Sequence, residues 1–213
     1  MPAVDRPIDD EEWRAFVRAQ GFGHLIAAGL GRDAPVIVPT QYVYDDTVVL
    51  AHVAVPNPIL GALAERPTGI LAVAGDWAFI PSSWKAIDEE DPRLGIHTTY
   101  YAAVQLAGRV DVIEEPDALA TLLGRQLARL QGGVEITDPA VEHRARLAGI
   151  RGIVLHIESV TAKFKFGGNV DEAHRRAVLA HLEERGAPRD AAAAQHLRRR
   201  IEGPSARYSA FRR

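Results

Sequence analysis

The sequence predicts an α+β protein in which six or seven mostly antiparallel strands close into a barrel, with helices inserted at defined points. Three observations carry this expectation. Short, apolar, partly β-branched runs are separated by Gly, Pro and Asp turn residues, as in "HLIAAGL", "PVIVPTQYVY" and "TVVLAHVAV". Helix-period segments occur at isolated places rather than after every strand. No G-x-G-x-x-G follows the first strand, and the β–α–β alternation of a doubly wound sheet is missing.

Each element has its own signal. "DDEEWRAFVRAQGFG" reads as an amphipathic helix capped by Asp9 or Asp10, supported by Glu12, striped with Trp13, Phe16 and Val17, and stopped at Gly21. The three apolar runs that follow form a meander. "NPILGALAER" is a short helix with Asn57 as N-cap and Pro58 at its first position. "GILAVAG" and "AFIPS" make a hairpin, and "SWKAIDEEDPRLGIH" a polar loop. "TTYYAAVQLAGRVDVIEE" is a long strand with Gly108 as the place for a bend. "PDALATLLGRQLARLQGG" is a helix with leucines at 119, 122, 123, 127 and 130 on one face, and "DPAVEHRARLAG" is a further short helix. "GIVLHIESVTAKFKF" is the last strand. "NVDEAHRRAVLAHLEERG" has Asn169 and Glu172 at capping-box spacing and stops at Gly186, and "DAAAAQHLRRRIEG" is a final Ala-rich helix.

At 213 residues the chain fits one domain with an appendage: a barrel domain over 1–186 and a basic helical tail over 187–213. Without cysteine it has neither a disulfide nor a thiolate metal site, which fits a cytoplasmic protein. The acidic N-terminus lacks a signal-peptide core, and no apolar run approaches the roughly 20 residues of a membrane span. Residues 1–170 carry a net charge of −7 and residues 171–213 a net +4, so the body is no nucleic-acid surface. The tail offers a contact to an acidic partner, or is a solvated Arg-rich helix.

The chain has three lysines against twenty-two arginines, and two of the three sit in "AKFKFGGN". Lys163 and Lys165 share one strand face, where they repel unless an anion lies between them. An ammonium is a compact charge suited to phosphate. The alternative is a solvated polar face opposite Phe164 and Phe166. "LAHVAVPNPILGAL" places His52 at a strand end before a helix N-terminus, a ready anion site or an ordinary connection. "IPSSWK…IHTTYYAAV" sets hydroxyls and aromatic rings at strand ends, which suits a planar polar ring or a subunit contact. No H-E-x-x-H or G-x-S-x-G occurs, His174 and His181 lack a third ligand, and the acids at 88–92 read as a solvated loop. No metal site is expected and no catalytic residue is assigned.

Four stretches in order resemble the PaiB family, FMN-binding negative transcriptional regulators among the split β-barrel flavoproteins related to pyridoxamine 5′-phosphate oxidase. The family's "GHLARANP" is similar to "AHVAVPNP", with His52, Asn57 and Pro58. Its "YISPSWY" is similar to "FIPSSWK", with Ser83 and Trp84. Its "VPTWNYxxVHxxGRV" is similar to "IHTTYYAAVQLAGRV", with Thr98, Tyr101, Val104 and Gly108-Arg109-Val110. Its "GKFKLSQN" is similar to "AKFKFGGN", with Lys163, Phe164, Lys165 and Asn169.

The resemblance implies an antiparallel split barrel that forms a homodimer with FMN at the subunit interface. It implies cofactor contacts from His52, Asn57, Ser83, Trp84, Thr98, Lys163 and Lys165. Thr40 and Tyr42 are added from topology alone. The phosphate is expected near His52–Asn57, with the lysine strand end completing the pocket. The family's Trp-Asn is Thr99-Tyr100 here, its later His is Gln105, and its Leu-Ser-Gln is Phe166-Gly167-Gly168. Tyr100 is expected to replace the missing ring, and Gly167 and Gly168 to widen the pocket. The implied function is a regulatory flavoprotein acting on DNA or through a protein partner. A flavin-dependent oxidoreductase, and a barrel that has exchanged FMN for another ligand, stand as the alternatives.

Overall fold

The structure, a computed structural model, describes residues 2–132, 139–142 and 144–203. Residues 204–213 of the basic tail, and Asp138 and His143 of the short helix expected over "DPAVEHRARLAG", lie outside the described residues. The chain divides into two compact units. One comprises Met1–Trp13, Ala74–Ala103 and Ala162–Arg213; the other comprises Arg14–Val73 and Val104–Thr161.

The second unit is built on the sheet. Strands β1 (Phe22–Ala27), β2 (Val36–Gln41), β3 (Val43–Asp45), β4 (Val48–Ala54), β5 (Thr68–Ile80), β6 (Thr98–Ile113) and β7 (Ile150–Lys165) lie in the order β2-β1-β5-β6-β7-β4-β3. β1 pairs antiparallel with β2 and β5, and β4 pairs antiparallel with β3 and β7. The expected three-strand meander is therefore two hairpins. The run Pro35–Tyr44 breaks at Tyr42, so its halves pair with β1 and β4 and supply both edges of the sheet. Among the described residues no ladder joins those edges, so the expected α+β antiparallel architecture holds while the barrel is not closed by hydrogen bonds. Tyr42, at the break, is buried and its hydroxyl donates to the carbonyl of Val17 at 2.7 Å, tying helix α1 (Asp10–Gln20) to the chain between the edges.

Helices α2 (Pro58–Glu65), α3 (Pro116–Leu130), α4 (Pro139–Glu142) and α5 (Arg144–Leu147) complete this unit. Asn57 caps α2 as expected, accepting from the Ile59 amide at 3.1 Å with Pro58 at the first position. The leucine face of α3 is buried at Leu119 and Leu122, partly at Leu123 and Leu127, and exposed at Leu130: Leu122 packs with Val43 and Leu50, and Leu119 with Ala120 and Leu147. A Cβ at Gly108 would overlap the carbonyl oxygen of His156, so only glycine lets the two backbones approach.

The first unit takes the remaining ends of β5, β6 and β7 with helices α6 (Glu172–Arg185) and α7 (Asp190–Glu202). The hairpin expected around Gly75-Asp76 is one continuous strand. Asp76 has φ +49°, and the buried positions of β5 switch from odd (69, 71, 73) to even (78, 80) across it. One inserted residue does this: the Gly-Asp pair makes a bulge rather than a reversal. Helix α6 is capped by Asp171, which accepts from the His174 amide at 3.0 Å, and not by Asn169. It ends at Gly186 with φ +57°, as expected. Helix α7 is buried along Ala193, Ala194, His196 and Leu197. No described helix is long and apolar enough to cross a membrane.

Candidate functional site

The end of β7 presents Lys163 and Lys165 on one face, both partly exposed, and buries Phe164 and the following Phe166 on the other. Lys165 Nζ donates to Thr98 Oγ1 at 2.7 Å. Lys163 Nζ lies 3.6 Å from Asp5 and 5.6 Å from the Tyr101 ring centroid. Tyr101, and behind it Asp5, raise the pKa of Lys163.

The third lysine joins them. Lys85 ends the 3-10 turn Ser82–Lys85, where burial and then the charge of Lys165 lower its pKa. An Arg-rich chain thus gathers all three of its lysines here. Among the described residues Lys85 has no hydrogen-bond or ion-pair partner, and Lys165 has only the neutral Thr98 hydroxyl. Lys165, bonded only to a neutral hydroxyl, and Lys85, which feels its charge, fit an anionic ligand, because a phosphate dianion would offset their repulsion. A cleft of about 520 Å³ adjoins Lys85 and is also lined by Leu94, Asn169, His174 and two carboxylates, Glu90 and Asp91, which are bonded to His174 and Arg93. His174 lies 2.7 Å from Asp171 and 3.1 Å from Glu90, and those carboxylates raise its pKa. This ties the loop before β6 to α6.

The other expected residues are occupied in different ways. Ser83 is exposed on the 3-10 turn. Trp84 stacks on His181, with centroids 5.1 Å apart, and the Arg185 guanidinium lies 4.5 Å from its ring centre. In the second unit Thr40 is buried, with its hydroxyl 3.3 Å from the Gln41 carbonyl. Burial raises the pKa of Tyr42. His52 Nδ1 lies 2.8 Å from Gln126 Oε1, while Gln126 Nε2 donates to the Leu50 carbonyl. That arrangement makes Nδ1 the donor. Asn57 is engaged as the cap of α2.

Two expectations are corrected. Tyr100 is no ligand-facing ring: it is buried edge-on against Phe166, 6.0 Å between centroids, and burial pushes its pKa up to about 12. Gly167 and Gly168 do not widen a pocket. Gly167 has φ +69° and its Cβ position lies 2.7 Å from the Tyr100 hydroxyl, while a Cβ at Gly168 would overlap the Val4 carbonyl. Both are glycine because neighbours touch the backbone there. Lys85 was missed, and its one sequence signal is that it is the remaining lysine.

The chain is 23% identical over 197 residues to the protease synthase and sporulation protein PAI 2 of Bacillus subtilis (strain 168), covering 88% of this chain and 91% of that protein. Its fold is similar to the FAD and heme binding protein from Mycobacterium smegmatis, with TM-score 0.58, 18% identity, and 76% and 73% of the two chains covered. It is likewise similar to the flavocytochrome Anf3 from Azotobacter vinelandii, with TM-score 0.56, 19% identity and 76% and 69% covered. These likenesses support the split-barrel fold expected from the sequence. Residues 1–159 match the family described as "Putative FMN-binding domain", in agreement with the expected cofactor class, FMN or a related flavin. With most of its length matched, the chain belongs to this family of FMN-binding domains.

Proposed function

We propose that the protein binds FMN or a related phosphorylated flavin, with the anionic end against Lys165, Lys85 and the Thr98 hydroxyl. Ser83, Trp84 and Lys163 are the neighbouring contacts. The observation that carries this is Lys165, whose one hydrogen-bond partner among the described residues is the neutral Thr98 hydroxyl, in a chain of an FMN-binding family. The bound isoalloxazine would supply the redox chemistry, and the protein its orientation and electrostatics. The absorbance spectrum of the protein as isolated, and after FMN titration, tests the reading. A saturable shift of the flavin bands supports it; a free-flavin spectrum at every ratio sinks it.

The junction of β4 and α2, with Thr40, Tyr42, His52 and Asn57, is the other expected flavin contact. Its side chains bond within the protein, so FMN titration of His52→Ala decides whether it takes part. The reading extends to a homodimer, supported by the large apolar side chains that β1 and β2 leave exposed, Phe22 at 57% and Ile37 at 56%. Sedimentation of Phe22→Glu against the parent checks this: a two-chain mass should fall to one.

We infer a regulatory use in the cytoplasm, the first part drawing on the relative named protease synthase and sporulation protein PAI 2. DNA or a protein would be reached through the basic C-terminal segment. Arg198 pairs with Glu183, and Arg200 donates to the carbonyls of Arg6 and Phe164, so α7 is structural and any truncation must begin after Gly203. Salt-dependent DNA retardation lost on deleting 204–213 supports the DNA route; none at low salt rules it out.

A further inference from the structure

Beyond the lysine cluster, the first unit carries a second built surface. Beyond the bulge, β5 turns Trp77 and Phe79, two residues apart, to the outside, where they are 45% and 47% exposed. The corner between α6 and α7 faces them across a cleft of about 480 Å³. That corner is pinned. Arg185 donates to both carboxylate oxygens of Asp190 at 2.7 and 2.6 Å and to the Phe79 carbonyl at 3.0 Å, and Asp190 also accepts from the Ala187 amide at 2.9 Å.

Asp190, the one carboxylate lining this cleft, is therefore buried and neutralised. Arg189 is different. Its guanidinium lies 4.3 Å from the Trp77 ring centre, and among the described residues it has no hydrogen-bond or ion-pair partner. The cleft thus combines exposed aromatic surface with a cation whose donors are unfilled. Stacking on Trp77 holds that cation beside the rings rather than out in solvent.

We infer that the Trp77–Phe79–Arg189 cleft is a second ligand site, for a small planar aromatic molecule carrying a carboxylate or similar anionic group. The ring lies against the aromatic side chains, and the anion takes the Arg189 donors. An uncharged aromatic keeps the first contact and loses the second; a non-aromatic anion keeps only the second. The site does not depend on flavin binding.

Calorimetric titration of the full chain with 2-naphthoate, and with neutral 2-naphthylmethanol, tests this. The parent protein should bind naphthoate saturably at one site per chain. Arg189→Ala should weaken naphthoate about 10-fold, the size expected for one charge-assisted contact, and leave the neutral compound within about twofold. Trp77→Ala should weaken both. Arg189 is an exposed helix-start residue, so its variant tests the site even if Trp77→Ala fails to fold. No saturable binding, or equal loss of both compounds in Arg189→Ala, overturns the inference. So does a fall in sedimenting mass with Trp77→Ala, which would make the surface a subunit contact. Displacement of naphthoate by FMN, undiminished in Lys85→Ala/Lys165→Ala, would make this the flavin's own seat. It would overturn the second site and the lysine assignment together, while FMN binding itself would stand.

Discussion

The end of β7 has two faces, and they treat charge in opposite ways. On the inner face Phe164 and Phe166 are buried, and His196 stacks on Phe166 with centroids 4.5 Å apart and planes 18° apart. His196 Nε2 lies 2.9 Å from Asp76 and Nδ1 3.4 Å from the buried Glu12. A carboxylate near each ring nitrogen favours the protonated ring, in which both nitrogens donate. Glu12 in turn accepts from the Ile8 amide at 2.6 Å. On the outer face Lys165 bonds only to the neutral Thr98 hydroxyl, and neither it nor Lys85 has an ion-pair partner among the described residues. Burial makes an unpaired charge costly, so the inner charges come partnered. A half-exposed pair can remain unpaired if a ligand completes it. The difference separates a structural cluster from a binding one.

The largest test breaks the inner face. His196→Leu fills a similar volume but removes the ring that lies against both Glu12 and Asp76. Removing one member of a buried ionic group costs about 3–5 kcal/mol. Urea unfolding should show a loss of that order. A loss below about 1 kcal/mol would mean the cluster is not holding α7, and the contrast between the faces would fail.

The same cluster should set the pH dependence of stability. For His196, burial lowers the pKa, but Asp76 and Glu12 outweigh it and raise the folded value above the ordinary 6.5. Its contribution is therefore full below 6.5 and lost as pH rises through the raised value. For Glu12, burial raises the pKa, but His196, the Ile8 amide and Arg200 outweigh it and bring the folded value below 4.5. Its contribution is full above 4.5 and lost as pH falls through the lowered value. Stability from this cluster should be greatest between about 4.5 and 6.5. Unfolding midpoints measured across pH should fall on the alkaline side in the parent, and that limb should flatten in His196→Leu. A parent limb as flat as the variant's would mean the ring is not charged in the fold.

The outer face should respond in the reverse sense. Lys85→Ala/Lys165→Ala should reduce FMN affinity about 100-fold, or about 3 kcal/mol, as expected for two charge-assisted contacts. Its unfolding free energy should stay within about 0.5 kcal/mol of the parent, because the pair repels in the free protein. Unchanged affinity would show that the lysines are not the anion seat. A large stability loss would show that they are structural after all.

Much of this was legible in the sequence, and the misses share a cause. The strand period places Lys163 and Lys165 opposite Phe164 and Phe166 without knowing any partner. Gly75-Asp76 carries the same local chemistry whether the chain reverses or bulges, and only the partner strand decides. Asn169 and Asp171 are both good caps, and the choice falls to the backbone after Gly167. Lys85 and His196 could not be read locally at all. The first gains meaning from Lys165, and the second from Glu12 and Asp76, 184 and 120 positions away. Tyr100 looked like a ligand ring because aromatic type is visible in sequence and burial on an even-numbered face is not.

Lys163 gives the finest test, since it combines features of both faces. It points outward like Lys165, yet Asp5 and Tyr101 already attend it. If partnering decides role, Lys163→Ala should behave as a weakened version of the inner face. Its Asp5 pair is partly exposed, so its loss should cost at most about 0.5–1 kcal/mol in urea unfolding. FMN affinity should fall no more than about threefold, since no ammonium without a counter-charge is removed. A loss of affinity as large as that from Lys85→Ala/Lys165→Ala would place Lys163 in the anion seat. Proximity to the ligand, rather than lack of a counter-charge, would then mark the binding lysines.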